Sequence, residues 1–245
     1  MKLSVVIPVQ NEADCIEKTV LNLSVRLKRA DISFEILVVD DHSSDETPLI
    51  LECLKAEIPE VRFVKNPSQK GFGLAVRTGL RAFEGDAVAI VMGDGSDSPE
   101  DVVRFFRKLE EGYDAVFGSR FIAGGAVEGY PLHKLVLNRV VNQLIRAFFQ
   151  IRYNDTTNAF KMYHKRTVEG LEPFLSHHFN LTVELPLKAI TRGYSYAVLP
   201  NSWKNRRSGE SKLRLKEMGS RYLFIILYCL IEKWLSVGDY KKEPF

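Results

Sequence analysis

Apolar positions along this chain follow two alternating rhythms. Short β-rich runs at Leu3–Ile7, Phe34–Val39, Val61–Val64, Ala87–Met92 and Ala115–Phe117 read as strands. The longer stretches Ala13–Arg29, Thr47–Glu57, Gly73–Phe83 and Pro99–Glu111 carry their apolar residues at helical spacing. Strands separated by helices of that length need right-handed crossovers, so the pattern predicts an α/β fold with a mostly parallel sheet flanked by helices. After about residue 130 the alternation fades.

Two later segments have another character. From Leu132 to Ile151 the polar residues Lys134, Asn138, Asn142 and Arg146 recur every fourth position, with Arg139 and Gln143 beside them, and the remaining surface is aliphatic or aromatic. That predicts one helix with a broad apolar face and a cationic stripe. Leu213 to Val237 is similar, mixing basic residues and Tyr222, Tyr228 and Trp234 with many aliphatics. Taken together they suggest helices that dock at an interface. The domain division expected is a sheet domain over residues 1–212, including the helix at about 131–151, and a membrane- or partner-docking helix over residues 213–245.

Each of four strands ends in a polar cluster: Pro8-Val9-Gln10-Asn11-Glu12, Asp40-Asp41-His42-Ser43-Ser44, Met92-Gly93-Asp94-Gly95-Ser96-Asp97 and Gly118-Ser119-Arg120. Ligands of open α/β sheets bind beyond the carboxyl ends of the strands, so the four clusters predict one site along one sheet edge. In the second cluster, Ser44 or Asp45 can cap the following helix, but capping leaves two adjacent carboxylates unexplained, and one of them suits a nucleobase. Gly71-Phe72-Gly73 fits no phosphate-loop template, because no Gly-Lys-Ser/Thr follows and Val76 stands at the third glycine position; close backbone packing is the expected role. Asp94-Gly95-Ser96-Asp97 puts carboxylates and a hydroxyl on a tight turn, an oxygen-rich set that suits a hard divalent cation beside a diphosphate. Ser98-Pro99-Glu100-Asp101 behind it reads as a helix start with Ser98 as the cap.

Composition adds bounds. A chain of 245 residues with 45% hydrophobic content can bury one large core. The net charge of +3 says little about partners and gives no reason to expect nucleic acid. Between Asn201 and Arg221, however, seven basic residues face two acidic ones, a density that suits phosphate or an anionic membrane surface. Cys15, Cys53 and Cys229 lie in apolar stretches without CxxC spacing and read as reduced structural thiols of a cytoplasmic protein. Lys2 and a short apolar run broken by Pro8 make neither a signal peptide nor an anchor. The ten-residue apolar run from Tyr222 to Ile231 is too short to cross a bilayer, which needs about 20 residues.

The segments VVIPVQNE, ILVVDDHSSDET, GDAVAIVMGDGSDSPED, GSRFIAGG, DTTNAFKMY and NRRSGESKL, in this order, resemble glycosyltransferase family 2 with its GT-A fold. Within it, the chain resembles the dolichyl- or polyprenyl-phosphate hexosyltransferases. The resemblance implies that Pro8, Asn11 and Glu12 border a nucleotide and that Asp40 or Asp41 reads its base. Asp94 would be the surviving carboxylate of the family's Asp-x-Asp metal motif, with Ser96 or Asp97, waters and donor phosphates completing the set around Mg²⁺ or Mn²⁺. Arg120 would bind phosphate, as would Arg206 or Arg207 with Ser211 and Lys212; Asp94, Arg120, Arg206 and Lys212 form the implied catalytic group. Asp155 and Lys161 match the family's Asp-Thr-Ser-Gly-Phe-Arg stretch, and Arg139 and Arg146 are candidates to meet a lipid phosphate. Two departures stand out: Met92 occupies the first Asp position, where a thioether is a poor ligand for a hard cation, and Lys161 replaces an arginine.

What the resemblance implies for activity is inverting transfer of a hexose from a nucleotide-sugar donor, GDP-mannose first, to a dolichyl or polyprenyl phosphate. Such a phosphate, with a second pKa of about 6, attacks without a dedicated base. The enzyme would sit peripherally on the cytoplasmic face of a membrane, alone or through a small membrane-spanning partner. UDP-glucose or UDP-N-acetylglucosamine as donor, a soluble glycan as acceptor, and a non-catalytic binding subunit are the alternatives.

Overall fold

In the strands of this chain apolar side chains follow one another without alternation, and a strand of that kind is stable only when both of its faces are covered. The computed structural model, which describes residues 1–204 and 215–242, places them accordingly. β1 (Leu3–Val9) and β2 (Phe34–Asp40) are buried along their whole length. The chain runs β1, α1 (Ile16–Arg29), β2, α2 (Thr47–Glu57), β3 (Val61–Lys65), α3 (Phe72–Ala82), β4 (Ala87–Ile90), α4 (Pro99–Glu110) and β5 (Ala115–Ser119). Every strand and helix expected in this half is present, with boundaries moved by a few residues at most.

Beyond β5 the chain forms β6 (Ala126–Glu128), α5 (Leu132–Phe149), β7 (Lys161–His164), α6 (Lys165–Gly170), α7 (Leu181–Thr191), β8 (Tyr196–Pro200), β9 (Ser202–Lys204) and α8 (Leu215–Leu235). The main sheet has the order β3-β2-β1-β4-β7-β5-β8, and β6 pairs with β9 apart from it. β7 runs antiparallel to both of its neighbours, β4 and β5, and the other pairs are parallel. The carboxyl ends of β1, β2, β4 and β5 therefore share one edge, where the four polar clusters lie.

Alternate residues of each strand serve two cores. Leu3, Val5 and Ile7 pack with Val20, Leu23 and Leu27 of α1 and with Phe105 and Leu109 of α4. Val6, Leu37, Val39 and Ile90 pack on the other face with Val76 and Leu80 of α3 and with Leu181 and Leu185 of α7. A third cluster joins Ile145 and Phe149 of α5, Val183 and Leu187 of α7, and Ile225 and Cys229 of α8. A buried bidentate pair fixes α8 as well: Arg192, just after α7, donates from Nε and Nη2 to Glu232 at 2.7 and 2.9 Å.

The thiols are free, but only Cys229 is buried; Cys53 is exposed and Cys15 half-buried, so apolar flanking sequence was a poor guide to their burial. The caps also differ in detail from expectation. Ser98 stands at the α4 N-cap, yet its hydroxyl donates to Glu100 Oε2 and only its carbonyl serves the first turn. At α2, Asp45 Oδ1 accepts the Thr47 amide at 3.0 Å while Oδ2 accepts the Ala13 amide at 3.2 Å, tying the ends of β1 and β2 together.

Candidate active site

Where β1 and β2 end, the two chains hold each other. Asn11, with φ of 52°, donates its amide to Ser43 Oγ at 2.9 Å and accepts the Ser44 amide on Oδ1 at 2.7 Å. The Glu12 amide donates to Thr47 Oγ1 at 3.0 Å. Asp40 and Asp41 are both buried, and their hydrogen bonds distinguish them. Asp41 Oδ1 accepts from Asn66 Nδ2 at 2.7 Å and Oδ2 from the Gly71 amide at 2.9 Å, so its carboxylate anchors the start of α3. Asp40 accepts the Ser43 amide on Oδ1 at 3.1 Å. Gly71 and Gly73 lie against the backbone of His177 and His178, where a Cβ would come within 2.6 and 2.7 Å. The glycine pair thus serves close backbone packing, as expected.

The turn after β4 is built for oxygen ligands. Gly95 takes φ of 69°, the left-handed conformation that glycine adopts without strain, and Ser96 donates its amide to Asp94 Oδ1 at 3.0 Å. Asp97 Oδ2 accepts the Met92 amide at 2.9 Å. Burial, reinforced by the neighbouring Asp94 carboxylate, pushes the Asp97 carboxyl up to about 7. The Ser96 hydroxyl oxygen is buried without a hydrogen-bond partner among the described residues.

After β5, Arg120 meets Asp155. The Arg120 amide, Nε and Nη2 donate to that carboxylate at 3.0, 2.8 and 2.7 Å, and both side chains are buried. This bidentate geometry orients the guanidinium, which also lies 5.8 Å from the Tyr130 ring centre. Lys161 points into the same interior: its Nζ donates to the Thr156 carbonyl at 3.1 Å and to the Asn158 carbonyl. Burial drives its ammonium down to about 7, helped by Arg120 and opposed by Asp155. In this position Lys161 braces residues 156–158 rather than facing a ligand.

One cavity of about 480 Å³ joins these parts. Asp94, Ser96, Asp97 and Arg120 line its polar end, with Tyr130 and Trp203 beside them in an edge-on pair at 5.1 Å. Leu137, Leu144 and Phe148 of α5 and Leu223 and Ile226 of α8 line the other end. Exposure grades along it, from 6% at Ser96 and 7% at Arg120 to 50% at Phe148 and 58% at Leu223. Much of the polar stripe of α5 is turned toward the protein interior. Asn138 Nδ2 donates to Thr157 Oγ1 at 2.7 Å, Asn142 is buried, and Arg139 Nη1 donates to the Asn154 carbonyl at 3.1 Å while its guanidinium stacks 4.2 Å from the Phe121 ring centre. Outside the groove too the surface is apolar: Leu132, Val136 and Val140 of α5 are exposed, and so are Phe224, Leu227, Ile231 and Trp234 of α8, alongside the exposed groove residues Leu137, Leu144, Phe148 and Leu223.

Over residues 4–171 the sequence matches the model of the glycosyl transferase family 2. The chain belongs to that family. It is 31% identical over 219 residues to the dolichol-phosphate mannosyltransferase of Pyrococcus furiosus, an alignment covering 88% of this chain and 60% of that longer protein. It is 30% identical over 217 residues to the polyprenol monophosphomannose synthase of Mycolicibacterium smegmatis, covering 85% of this chain and 80% of the relative. The fold is similar to that of glucosyl-3-phosphoglycerate synthase from Mycobacterium tuberculosis, with a TM-score of 0.70 at 20% identity over 94% of this chain and 78% of that one; that enzyme was crystallised with Mn²⁺, UDP and phosphoglyceric acid. The GT-A architecture expected from the motifs is thus present, and this family 2 chain is a glycosyltransferase.

The expected site residues divide by their place in the fold. Asp94, Ser96, Asp97 and Arg120 meet at one cavity; Pro8, Asn11, Glu12, Asp40 and Asp41 lie at the adjoining ends of β1 and β2 and do not line it; Arg206, Arg207, Ser211 and Lys212 lie outside the described residues. Arg139 is directed to Asn154 and Phe121, away from the cavity lining. The turn fits a hard divalent cation: two carboxylates and a buried, unpartnered hydroxyl are all oxygen donors. No three His, Cys, Asp or Glu side chains gather around one point among the described residues, so a diphosphate and water would complete the ligand set. Sequence reasoning passed over Tyr130, Phe179 and Trp203 and read Tyr222 only as part of a docking helix, because aromatic character alone carried no sign of a shared cavity.

Proposed function

We propose that this glycosyltransferase moves a hexose, mannose in the first instance, from a nucleotide sugar to the phosphate of a polyprenyl or dolichyl phosphate held in the α5–α8 groove. The observation that carries the reading is the groove itself, which runs from a polar end at Asp94, Asp97 and Arg120 to an exposed apolar end at Leu144, Phe148 and Leu223. An acceptor with an anionic head and an isoprenoid tail has the same gradient. Both curated relatives are named for mannose transfer to such a lipid, which supports mannose and, with it, GDP-mannose as donor.

In this reading Asp40 faces the base and Asp94, Asp97 and Ser96 hold Mg²⁺ or Mn²⁺, which would neutralise charge on the departing diphosphate. Arg120, fixed by Asp155, presents its charge to the phosphates. An acceptor phosphate oxygen attacks the anomeric carbon as the bond to the nucleoside diphosphate breaks, and in-line attack inverts that centre. An ionised phosphate has no proton to lose, so no base is required. The exposed apolar faces of α5 and α8 rest on the bilayer; no described helix is long and apolar enough to cross it.

The test is transfer of labelled sugar into an organic extract, with polyprenyl phosphate and with GDP-mannose, UDP-glucose and UDP-N-acetylglucosamine in parallel. Label in the lipid phase with one donor, abolished by chelator and reduced about 10³-fold by Asp94→Ala, is the expected result. Transfer that proceeds only to water-soluble acceptors would overturn it.

A further inference from the structure

Asn142 is buried in the middle of the helix that walls the acceptor groove; it does not itself line that groove, although two of its partners, Asn138 and Thr157, do. Its Oδ1 accepts both the amide and the hydroxyl of Thr156, each at 2.7 Å. Its Nδ2 donates to Thr157 Oγ1 at 3.1 Å and to the Asn138 carbonyl at 2.9 Å, and Asn138 donates in turn to Thr157. Thr156 directly follows Asp155, the carboxylate that takes three hydrogen bonds from Arg120. A continuous set of short polar contacts thus runs from α5 to the guanidinium at the polar end of the cavity.

The two ends of this set face different parts of one ligand. Leu137, Leu144 and Phe148 stand on the groove side of α5 and would touch an acceptor's hydrocarbon, whereas Arg120 stands where its phosphate would lie. We infer that Asn142 is a positioning residue: through Thr156 and Asp155 it ties the seating of the acceptor chain against α5 to the placement of Arg120. The inference rests on the lipid-phosphate reading above and adds to it that the chain acts on turnover as well as on binding. An amide suits this task because it accepts and donates at once, and the buried partners it would leave unpaired hold it in one orientation.

The experiment measures kcat and KM for acceptors with a short and a long isoprenoid chain in detergent micelles. For the unaltered enzyme the long chain raises kcat as well as lowering KM. In Asn142→Ala the kcat ratio between long and short acceptors falls to about one, while the KM advantage of the long chain persists. Thr156→Val, which removes only the hydroxyl donor, moves the ratio the same way, and Thr156→Ser restores it, separating the effect from a folding defect. A kcat ratio in Asn142→Ala and Thr156→Val equal to that of the unaltered enzyme would overturn the inference and leave lipid-phosphate transfer standing. Absence of transfer to either acceptor by the unaltered enzyme would instead overturn the reading on which it rests.

Discussion

α4 and α5 are both amphipathic helices, and they are installed in opposite senses. α4 buries Val102, Phe105, Phe106 and Leu109 and, Asp101 apart, turns its charges outward, where Arg107 pairs with Glu110 at 2.8 Å and Lys108 with Glu111 at 2.6 Å. α5 buries Asn142 with Ile145 and Phe149, directs Asn138 and Arg139 to an interior loop, and leaves six large apolar side chains exposed. A helix in water gains by hiding apolar area, so an outward apolar face marks a surface intended for contact with something other than water. Up to β5 the molecule is organised by burial in its own core. From α5 onward it combines a buried apolar cluster and buried polar contacts with an apolar exterior.

The comparison is tested most severely by deletion on each side. Phe105 is fully buried and packs 4.6 Å from Phe160 between ring centres, so Phe105→Ala should destabilise the fold by about 3–5 kcal/mol. Beyond β5 the comparable loss comes from a polar residue. Arg120→Ala leaves the Asp155 carboxylate buried without its guanidinium and with only the main-chain amide donor of residue 120 kept, at an expected cost of about 3–5 kcal/mol. Denaturant unfolding followed by circular dichroism measures both. An Arg120→Ala enzyme as stable as its parent would mean that the polar interior is not held by this ion pair.

A smaller effect, spread over pH, belongs to Asp97. Its carboxyl titrates near 7 in the folded protein against an ordinary value of 3.8, so the folded state holds this proton more tightly than the unfolded chain does. The group's contribution therefore falls as pH rises from about 4 to about 7 and is constant beyond. Asp97→Asn keeps an oxygen to accept the Met92 amide and loses the titration. In chelator, the difference in stability between the Asn variant and its parent should grow in the variant's favour across that window. A difference independent of pH would mean that burial does not displace this carboxyl.

The half up to β5 was legible because its elements are local: each strand is a continuous apolar run and each helix has its own period, so β1 to β5 and α1 to α4 could be read in order. The single sheet edge followed from their common direction. β7 and α7 were not visible in this way. β7 is four residues inserted antiparallel between β4 and β5, a placement decided by contacts distant in sequence. α7 has nearly every residue buried, so it shows no amphipathic period, and its Glu184–Lys188 pair looks like a surface pair although both side chains are fully buried. In α5 the helix itself was evident, and so was its apolar docking face. Asn138 and Asn142 sit at the same spacing as Lys134 and Arg146, and periodicity alone does not tell which of the four bond to the protein interior. Asp94, Ser96, Asp97 and Arg120 were recoverable from strand-end motifs, whereas the aromatic residues of the cavity converge from four separate parts of the chain.

The smallest stability effect in this set is the one that bears most directly on the inverted helices. Val140 and Phe224 are 51% and 59% exposed and do not line the cavity, so Val140→Glu and Phe224→Glu leave core and groove intact. Each should change folding stability by no more than about 0.5 kcal/mol, as exposed substitutions do. If these faces rest on a bilayer, each change forfeits roughly 1.5 kcal/mol or more of apolar burial, which corresponds to about tenfold weaker partitioning. Sedimentation with phospholipid vesicles reads that loss, and transfer to short-chain acceptors in detergent should stay within about twofold of the parent. Unchanged partitioning in the double variant, with stability and detergent activity intact, would mean that the apolar exterior of α5 and α8 does not meet lipid. The inverted arrangement would then have to be explained by a protein covering the same two faces.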